Sequence, residues 1–178
     1  MVIKLPKSVE LILSKLNNCG YEAYIVGGCV RDSIIGTTPH DWDICTSALP
    51  EQVMGIFEGY KIIPTGLKHG TVTIIIDNFK YEVTTYRIDG EYKDNRHPKE
   101  ISFTNNLKED LNRRDFTINA MAYNPSTGLV DYFNGKKDIY NKLIKCVGNP
   151  DDRFNEDALR IMRAVRFATM LNYYIEDN

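Results

Sequence analysis

Several things are scarce in these 178 residues. There is no excess of basic charge: the formal net charge is −2, so no global positive field advertises a nucleic-acid partner, although local patches can sit inside a neutral total. The four cysteines, Cys19, Cys29, Cys45 and Cys146, show no Cys-x-x-Cys or similar ligand spacing. They read as free thiols in a reducing compartment rather than as a metal cluster or a disulfide framework. No apolar run is long enough to cross a bilayer and no signal peptide is visible, so a cytoplasmic protein with no membrane partner is expected. Internal repeats and low-complexity tracts are missing too. Two common phosphate motifs are also absent. Gly27-Gly28 is not followed by Gly-Lys-Ser/Thr, and Gly-x-Gly-x-x-Gly does not occur. What remains is ordinary for a globular chain, 43% hydrophobic and 26% charged.

The periodicities alternate between helix and strand. Residues 8–18 carry apolar positions at helical spacing after Ser8, a candidate N-cap, with Gly20 to end the helix. Glu22–Val26 reads as a strand, Val30–Ile35 as a short helix closed by Gly36, and Trp42–Thr46 as a second strand. A helix is expected over 50–58, opened by Pro50 and Glu51. Tyr60–Ile63 and Thr71–Ile76 are β-branched runs. Lys80–Arg87 is expected to pair with the latter across an Asp77-Asn78 turn. From Ile88 to Asn106 the chain reads as a loop, long enough to be functional or disordered. Helical character is expected over Glu109–Tyr123, short strands over Leu129–Tyr132 and Leu143–Val147, and one helix from about Asn155 to Tyr173. That last helix has an apolar stripe (Leu159, Met162, Val165, Ala168) with no later element to pack on, so the chain reads as cut short. The fold class is α+β, a mixed or antiparallel sheet flanked by helices, with a boundary near Gly148-Asn149-Pro150.

Three constellations carry chemistry. In the first, Asp41 and Asp43 are one residue apart at the start of an expected strand, so their carboxylates share a face. A divalent cation is a natural neutraliser of such a pair, and Mg²⁺ takes one or two carboxylates together with substrate phosphates. Gly27-Gly28 leaves room for a phosphate at a helix start, and Arg31 supplies a cation. Exposed acids on a strand edge are the plainer reading of Asp-x-Asp alone. In the second, Arg113-Arg114-Asp115-Phe116-Thr117-Ile118-Asn119-Ala120 reads on helical spacing with Arg114, Ile118 and Met121 on one face and Arg113 and Thr117 on the next. It could equally be a solvated surface. The third places Asp157, Arg160, Arg163 and Arg166 at every third position, a drifting stripe of like charge that calls for something anionic or rich in hydrogen bonds. Such side chains can read a base edge, or simply cover an exposed helix.

Taken in this order, Gly27-Gly28-Cys29-Val30-Arg31-Asp32 with Asp41-Trp42-Asp43, then Arg113–Ala120, then Glu156–Arg163, the chain resembles the class II tRNA nucleotidyltransferases. These are the CCA-adding enzymes and their bacterial poly(A) polymerase relatives, within the polymerase-beta-like nucleotidyltransferase superfamily. The resemblance runs from about Tyr21 to Phe167. It implies a nucleotidyltransferase catalytic head over 1–148 and, over 149–178, the start of an all-helical neck carrying the nucleotide-selecting helix. Asp41 and Asp43 would hold two catalytic Mg²⁺ ions. Gly28 and Arg31 would contact the triphosphate and Arg114 the nucleotide's sugar or phosphates. Asp157 and Arg160 would pair with the edge of an incoming C or A, and Arg163 and Arg166 would complete that pocket. Glu82 is placed to act as a third carboxylate but could equally be exposed or stand behind the ligands. The stretch from Arg87 to about Asn106 resembles the family's flexible loop. The implied activity is template-independent addition of C and A to the 3′ end of tRNA from CTP and ATP. A poly(A) polymerase, a partial (CC- or A-adding) enzyme, and a non-catalytic nucleotide- or RNA-binding module remain as alternatives. The resemblance also implies body and tail domains beyond residue 178 that grip the tRNA, hence a fragment with weak nucleotide binding, very poor tRNA binding and little activity of its own.

Overall fold

A computed structural model describes residues 2–90 and 100–177. In chain order its elements are α1 (Lys7–Asn18), β1 (Ala23–Val26), α2 (Gly28–Ile35), β2 (Asp43–Thr46), α3 (Pro50–Ile56), β3 (Lys61–Gly66), β4 (Thr71–Ile76), β5 (Phe79–Thr85), β6 (Arg87–Asp89), β7 (Ile101–Phe103) and α4 (Leu107–Asn112). They continue with β8 (Ala122–Asn124), β9 (Gly128–Val130), α5 (Gly135–Tyr140), β10 (Leu143–Ile144), α6 (Pro150–Glu156), α7 (Leu159–Leu171) and β11 (Tyr174–Ile175). Single 3₁₀ turns lie at Leu67–His69 and Thr117–Asn119.

The centre is a seven-stranded mixed sheet in the order β3-β4-β5-β2-β1-β8-β9. Only β2 and β5 pair in parallel. The β4–β5 hairpin forms as the sequence predicts. Asp77 and Asn78 adopt φ of 51° and 66°, the pair of left-handed residues that a two-residue turn needs to match strand twist. One face of the sheet is sealed by α1 and α3. Val9, Ile12, Leu13 and Leu16 pack with Val53 and Phe57 onto Ile25, Ile44, Val72, Ile74 and Val83. A smaller core lies on the other face, where Leu107 and Leu111 of α4 meet Val26, Cys45, Tyr86 and Ala122. That second cover reaches β1, β2 and β8. Over β4 every second residue stays only half-buried.

Four readings of the sequence need correction. The first helix starts at Lys7 after Pro6, which has extended φ/ψ and makes no side-chain cap. Ser8 is therefore inside the helix. The expected helix over Glu109–Tyr123 does not exist as one element. α4 stops at Asn112, and Phe116 is extended (φ −122°, ψ 147°) and bridges to Cys146. Burial wins over helical propensity here, because Phe116, Ile118 and Met121 are all within 1% of full burial and point into the core from a turn, a 3₁₀ segment and a strand lead-in. The expected helix from 155 to 173 is two helices. Asn149 caps α6 by accepting from the Asp151 and Asp152 N–H groups, and the chain breaks at Asp157 (φ −144°, ψ 100°) before α7. The last helix also has a later element beside it: Asn172 turns the chain in the left-handed region and β11 pairs in parallel with β10. The Leu159, Met162 and Val165 side chains stay exposed.

The strand ends shift as well. β3 runs on to Gly66 through a bulge, β9 is shorter than predicted, and β10 covers only Leu143–Ile144. The loop expected from Ile88 to Asn106 begins and ends in an antiparallel ribbon, β6 with β7. Residues 91–99 of the expected flexible loop lie outside the described residues. Among the described residues no helix is long and apolar enough to cross a membrane.

Candidate nucleotidyl-transfer site

The site is built around the first residue of β2. Asp43 lies opposite Glu82 of β5 in a parallel pairing, so the two carboxylates stand side by side on one face of the sheet. Asp41 precedes the strand in irregular backbone rather than opening it, as the reading of Asp41 and Asp43 as a pair at a strand start had expected, and the strand begins at Asp43 rather than Trp42. It remains close enough to act on Asp43. Both Asp41 and Asp43 are exposed at the rim. The chain is nonetheless dense around the base of Asp43. That desolvation, then the Glu82 charge, then Asp41 push its carboxyl above the usual range, with Arg114 pulling the other way. Glu82, which the sequence left undecided, is therefore the cross-strand acidic partner of Asp43. Its place beside Asp43 follows from the parallel register of β5 on β2, which the local strand pattern does not encode.

Across β2 from Glu82 lies the glycine turn. Gly27 has φ +79°, and a β-carbon there would come within 3.3 Å of Arg114 Nη1. At Gly28, the first residue of α2, a β-carbon would lie 3.6 Å from Arg31 Nη2. Gly27 thus lets the Arg114 guanidinium lie against bare backbone at a positive φ that other residue types adopt only with strain, whereas the 3.6 Å approach at Gly28 is an ordinary contact.

Each arginine is already held. Arg31 is buried, with Nε on Asp32 Oδ1 at 2.8 Å and Nη1 donating to Asn119 Oδ1 at 2.7 Å. Arg114 pairs with the fully buried Asp110 at 3.3 Å, and its Nε is buried without a hydrogen-bond partner. Asp110 also receives Nε and Nη2 of Arg113 at 3.1 and 2.9 Å. Burial alone would raise the Asp110 carboxyl. Arg114 and Arg113 overcome it and hold the group below the usual range. Cys29, beside Asp43, has its thiol pushed up to about 12 by burial and then by the Asp43 charge. It is a neutral packing residue, not a nucleophile.

The last helix meets this centre through Phe167. The Arg31 and Arg163 guanidinium carbons lie 5.1 and 5.2 Å from its ring centroid, within cation–π range. Arg163 also donates to Asp115 Oδ2 at 2.7 Å. Arg160 is buried, donating to Glu156 at 2.8 Å and to the Arg113 carbonyl at 3.1 Å. The four-residue stripe expected on one helix face does not form. Asp157 sits in the break at the end of α6, where its Oδ1 accepts the Leu159 N–H at 2.9 Å. Arg166 is exposed. Asp43, Gly28, Arg31, Arg114 and Arg163 are thus drawn into one connected centre, Arg160 and Asp157 flank it, and Arg166 stands apart. Asp110, Asp115, Asn119 and Phe167 hold the arginines and escaped the sequence reading. The repeated acid and amide partners in Asp110–Asn119 were their signal.

Among the described residues no three His, Cys, Asp or Glu side chains form a ready-made metal cluster. The donor set at Asp43 nevertheless fits a hard divalent cation. It has two adjacent carboxylates with a third acid close by, the Asp43 carboxyl being raised by burial and then by Glu82 and Asp41, and Mg²⁺ binds through one or two carboxylates while keeping water and phosphate ligands. A hollow of about 760 Å³ lies elsewhere, between the N-terminal segment, the α2–β2 connection and the β4–β5 turn, and touches the site at Asp41.

Comparison with known proteins agrees with this geometry. The poly A polymerase head domain model matches residues 23–145. A CCA-adding enzyme of Oceanobacillus iheyensis is 53% identical over 94% of this chain and 41% of its own length. One from Enterococcus faecalis is 46% identical over 96% and 42%. The crystal structure of Bacillus stearothermophilus CCA-adding enzyme in complex with CTP superposes with a TM-score of 0.88 at 43% identity, over 98% of this chain and 42% of that one. The complex of a CCA-adding enzyme with ATP gives 0.77 at 28%. The chain spans about two-fifths of the length of these relatives. With its α+β sheet, its Asp43–Glu82 pair and these matches, this chain belongs to the poly A polymerase head-domain family and is similar to the N-terminal part of CCA-adding enzymes.

Proposed function

We propose that this chain is the catalytic head of an enzyme that adds C and A to the 3′ end of tRNA, taking nucleotides from CTP and ATP. The observation that carries the reading is the Asp43–Glu82 pair set against the Gly27-Gly28 turn, with Arg31 and Arg114 laid on that turn. Residues 1–148 form the head. Residues 149–178, from the Asn149 cap onward, begin the helical neck.

Asp43 and Asp41, joined by Glu82, would hold Mg²⁺, two ions in the fullest form of this reading. The bound ions would supply charge neutralisation at the phosphates and an acidified hydroxyl. The chain's own residues do the rest. The Gly28 amide at the start of α2 offers an N–H to the triphosphate. Arg114 has an unpartnered buried Nε and Arg31 lies beside it, so both add positive charge where pyrophosphate builds negative charge. In the transfer, the bond from the RNA 3′-oxygen to the α-phosphorus forms, the bond from the α-phosphorus to the bridging oxygen breaks, pyrophosphate leaves and the hydroxyl gives up its proton. Asp157, Arg160, Arg163 and Arg166 would select the base. Arg160 must then exchange its hold on Glu156 and the Arg113 carbonyl for the base edge, so selection involves a rearrangement around the α6–α7 break. The cytoplasm is the compartment this reading assigns.

The test is extension of tRNA lacking its 3′ end by the complete protein that carries this head, with Mg²⁺, CTP and ATP, followed by sequencing of the product. Addition of CCA is expected. A run of A identifies a poly(A) polymerase, and no extension at all returns the chain to a nucleotide-binding module.

A further inference from the structure

Arg31 and Arg163 come from distant parts of the chain, Arg31 from α2 beside the glycine turn and Arg163 from α7, yet a closed circuit of side chains joins them. On its polar side, Arg31 Nη1 donates to Asn119 Oδ1 at 2.7 Å, and the Asn119 amide donates to Asp115 Oδ1 at 3.3 Å. Asp115 Oδ2 then lies 2.7 Å from both Nε and Nη2 of Arg163. On its apolar side the circuit closes through a single ring. The guanidinium carbons of Arg31 and Arg163 lie over Phe167, 5.1 and 5.2 Å from its centroid. Phe167 follows Arg163 by four residues and so shares its face of α7. From the core, the buried Phe116 meets the same ring in a T-shaped contact at 5.9 Å and 82°.

We propose that Phe167 is a positioning residue that couples the grip on the triphosphate to the choice of base, because both arginines rest on its ring. The inference rests on the nucleotidyl-transfer reading, which puts the triphosphate at Arg31 and the base at Arg163. The edge of the Arg31 guanidinium is already occupied: Nε and Nη2 lie 2.8 and 2.7 Å from Asp32 Oδ1, and Nη1 is on Asn119. The aromatic ring adds a partner for the charge itself, which a buried cation needs. A triphosphate that draws on Arg31 changes the load on the ring, and the ring sits one helical turn from Arg163. Linkage makes the effect reciprocal. A base that seats Arg163 tightens the triphosphate by the same factor as the triphosphate tightens the base. A wrong base thereby weakens a contact that it never touches.

Packing alone does not account for this arrangement. Phe167 is only half-buried, and covering Phe116 asks for an apolar side chain of that size, not for the negative face of a π-system. Two cations over one ring, each within about 6 Å of its centroid, do ask for that face. The guanidinium groups repel each other, and their carboxylates are separate: Asp32 serves Arg31 and Asp115 serves Arg163. The ring is a partner they share, so displacing either cation changes the field in which the other sits. Asn119 and Asp115 tie the same two arginines by hydrogen bonds, which keeps the pair in register while the ring carries the change in charge.

The test keeps the shape of the ring and changes its charge distribution. A trifluorinated phenylalanine incorporated at position 167 of the complete protein that carries this head strips the ring of most of its negative face at nearly the same size. Two quantities are read with Mg²⁺ present. One is the calorimetric affinity for inorganic tripolyphosphate, which has no base. The other is the ratio of kcat/KM for CTP over UTP on tRNA lacking its 3′ end. The fluorinated ring should weaken tripolyphosphate binding about fivefold and lower the CTP-to-UTP ratio by a similar factor. Phe167→Leu should lower both by about tenfold, and Phe167→Tyr, which keeps the π face, should leave both within about twofold. A change in one quantity alone, or in neither, on fluorination overturns the coupling and leaves the nucleotide site standing. Loss in Phe167→Tyr equal to that in Phe167→Leu also overturns it, since the ring would then act by packing. If the unsubstituted protein binds neither tripolyphosphate nor CTP, the nucleotidyl-transfer reading fails and this inference with it.

Discussion

Asp43 and Glu82 face each other across β2 and β5 as like charges at an exposed rim, whereas Arg31, Arg113, Arg114, Arg160 and Arg163 are each already fastened to a carboxylate, an amide or a carbonyl of the chain. The two halves of the site have been assembled by opposite rules. The basic half is preorganised: Asp110, Asp115 and Asn119 fix the orientation of its arginines, so little ordering would be left for a ligand to impose. The acidic half is left in electrostatic tension, with the Asp43 carboxyl raised by burial, Glu82 and Asp41. A cation relieves that tension.

Substitution at the acidic rim should have the largest effect on chemistry. Asp43→Asn or Asp41→Asn in the complete protein is expected to lower nucleotide addition by about a thousandfold or more, equivalent to several kcal/mol of lost transition-state stabilisation, measured as single-turnover extension. The same Asp43→Asn change in this chain without metal is expected to raise the melting temperature at neutral pH, because it removes a repelled charge. A lower melting temperature would mean that Asp43 serves the fold.

The basic half should respond in the other sense. Asp110→Asn strands two arginines, Arg114 among them inside the protein, and is expected to cost about 3–5 kcal/mol of stability in denaturant titration. Calorimetry should show CTP binding weakened along with it.

The two acids should also separate by pH. The folded chain holds Asp110 below its unfolded value, so its contribution is present above the unfolded pKa and is lost as pH falls through the depressed one. Asp43 is raised, so the folded state is favoured while that group is protonated, and this contribution is lost as pH rises toward the raised pKa. Melting curves of Asp43→Asn and Asp110→Asn against pH should therefore diverge from the unsubstituted chain in opposite directions above the carboxylate range. Mg²⁺ should bind more weakly as Asp43 becomes protonated.

Gly27→Ala is the mildest probe. A side chain at φ +79° costs about 1–2 kcal/mol, and its β-carbon presses on Arg114 at 3.3 Å. Thermal unfolding should show that loss, and CTP affinity should fall because Arg114 is displaced.

The same contrast explains what the sequence disclosed. The acidic pair and its neighbouring strands were readable, since strand alternation and the Asp77-Asn78 turn are local properties and the turn forms with both residues in the left-handed region. The arginines were found as residues but not as a structure. Arg113–Ala120 has helical spacing, yet its apolar members are buried from an irregular path pinned by the Phe116–Cys146 bridge, and no local periodicity encodes that long-range pairing. Asp157 looked like one more member of a stripe because every third residue is charged. Its extended φ/ψ ends α6 and its Oδ1 accepts the Leu159 N–H, so the stripe is broken where it was expected to begin. Glu82 could be placed beside Asp43 only once β5 was known to pair with β2 in parallel, a pairing between segments some forty residues apart.

The most direct measurement is a calorimetric titration of CTP into this chain at neutral pH, with and without Mg²⁺, repeated for Asp43→Asn. The account predicts weak binding that strengthens with Mg²⁺, and loss of that metal-dependent gain in Asp43→Asn. Equal affinity in all four titrations would contradict it.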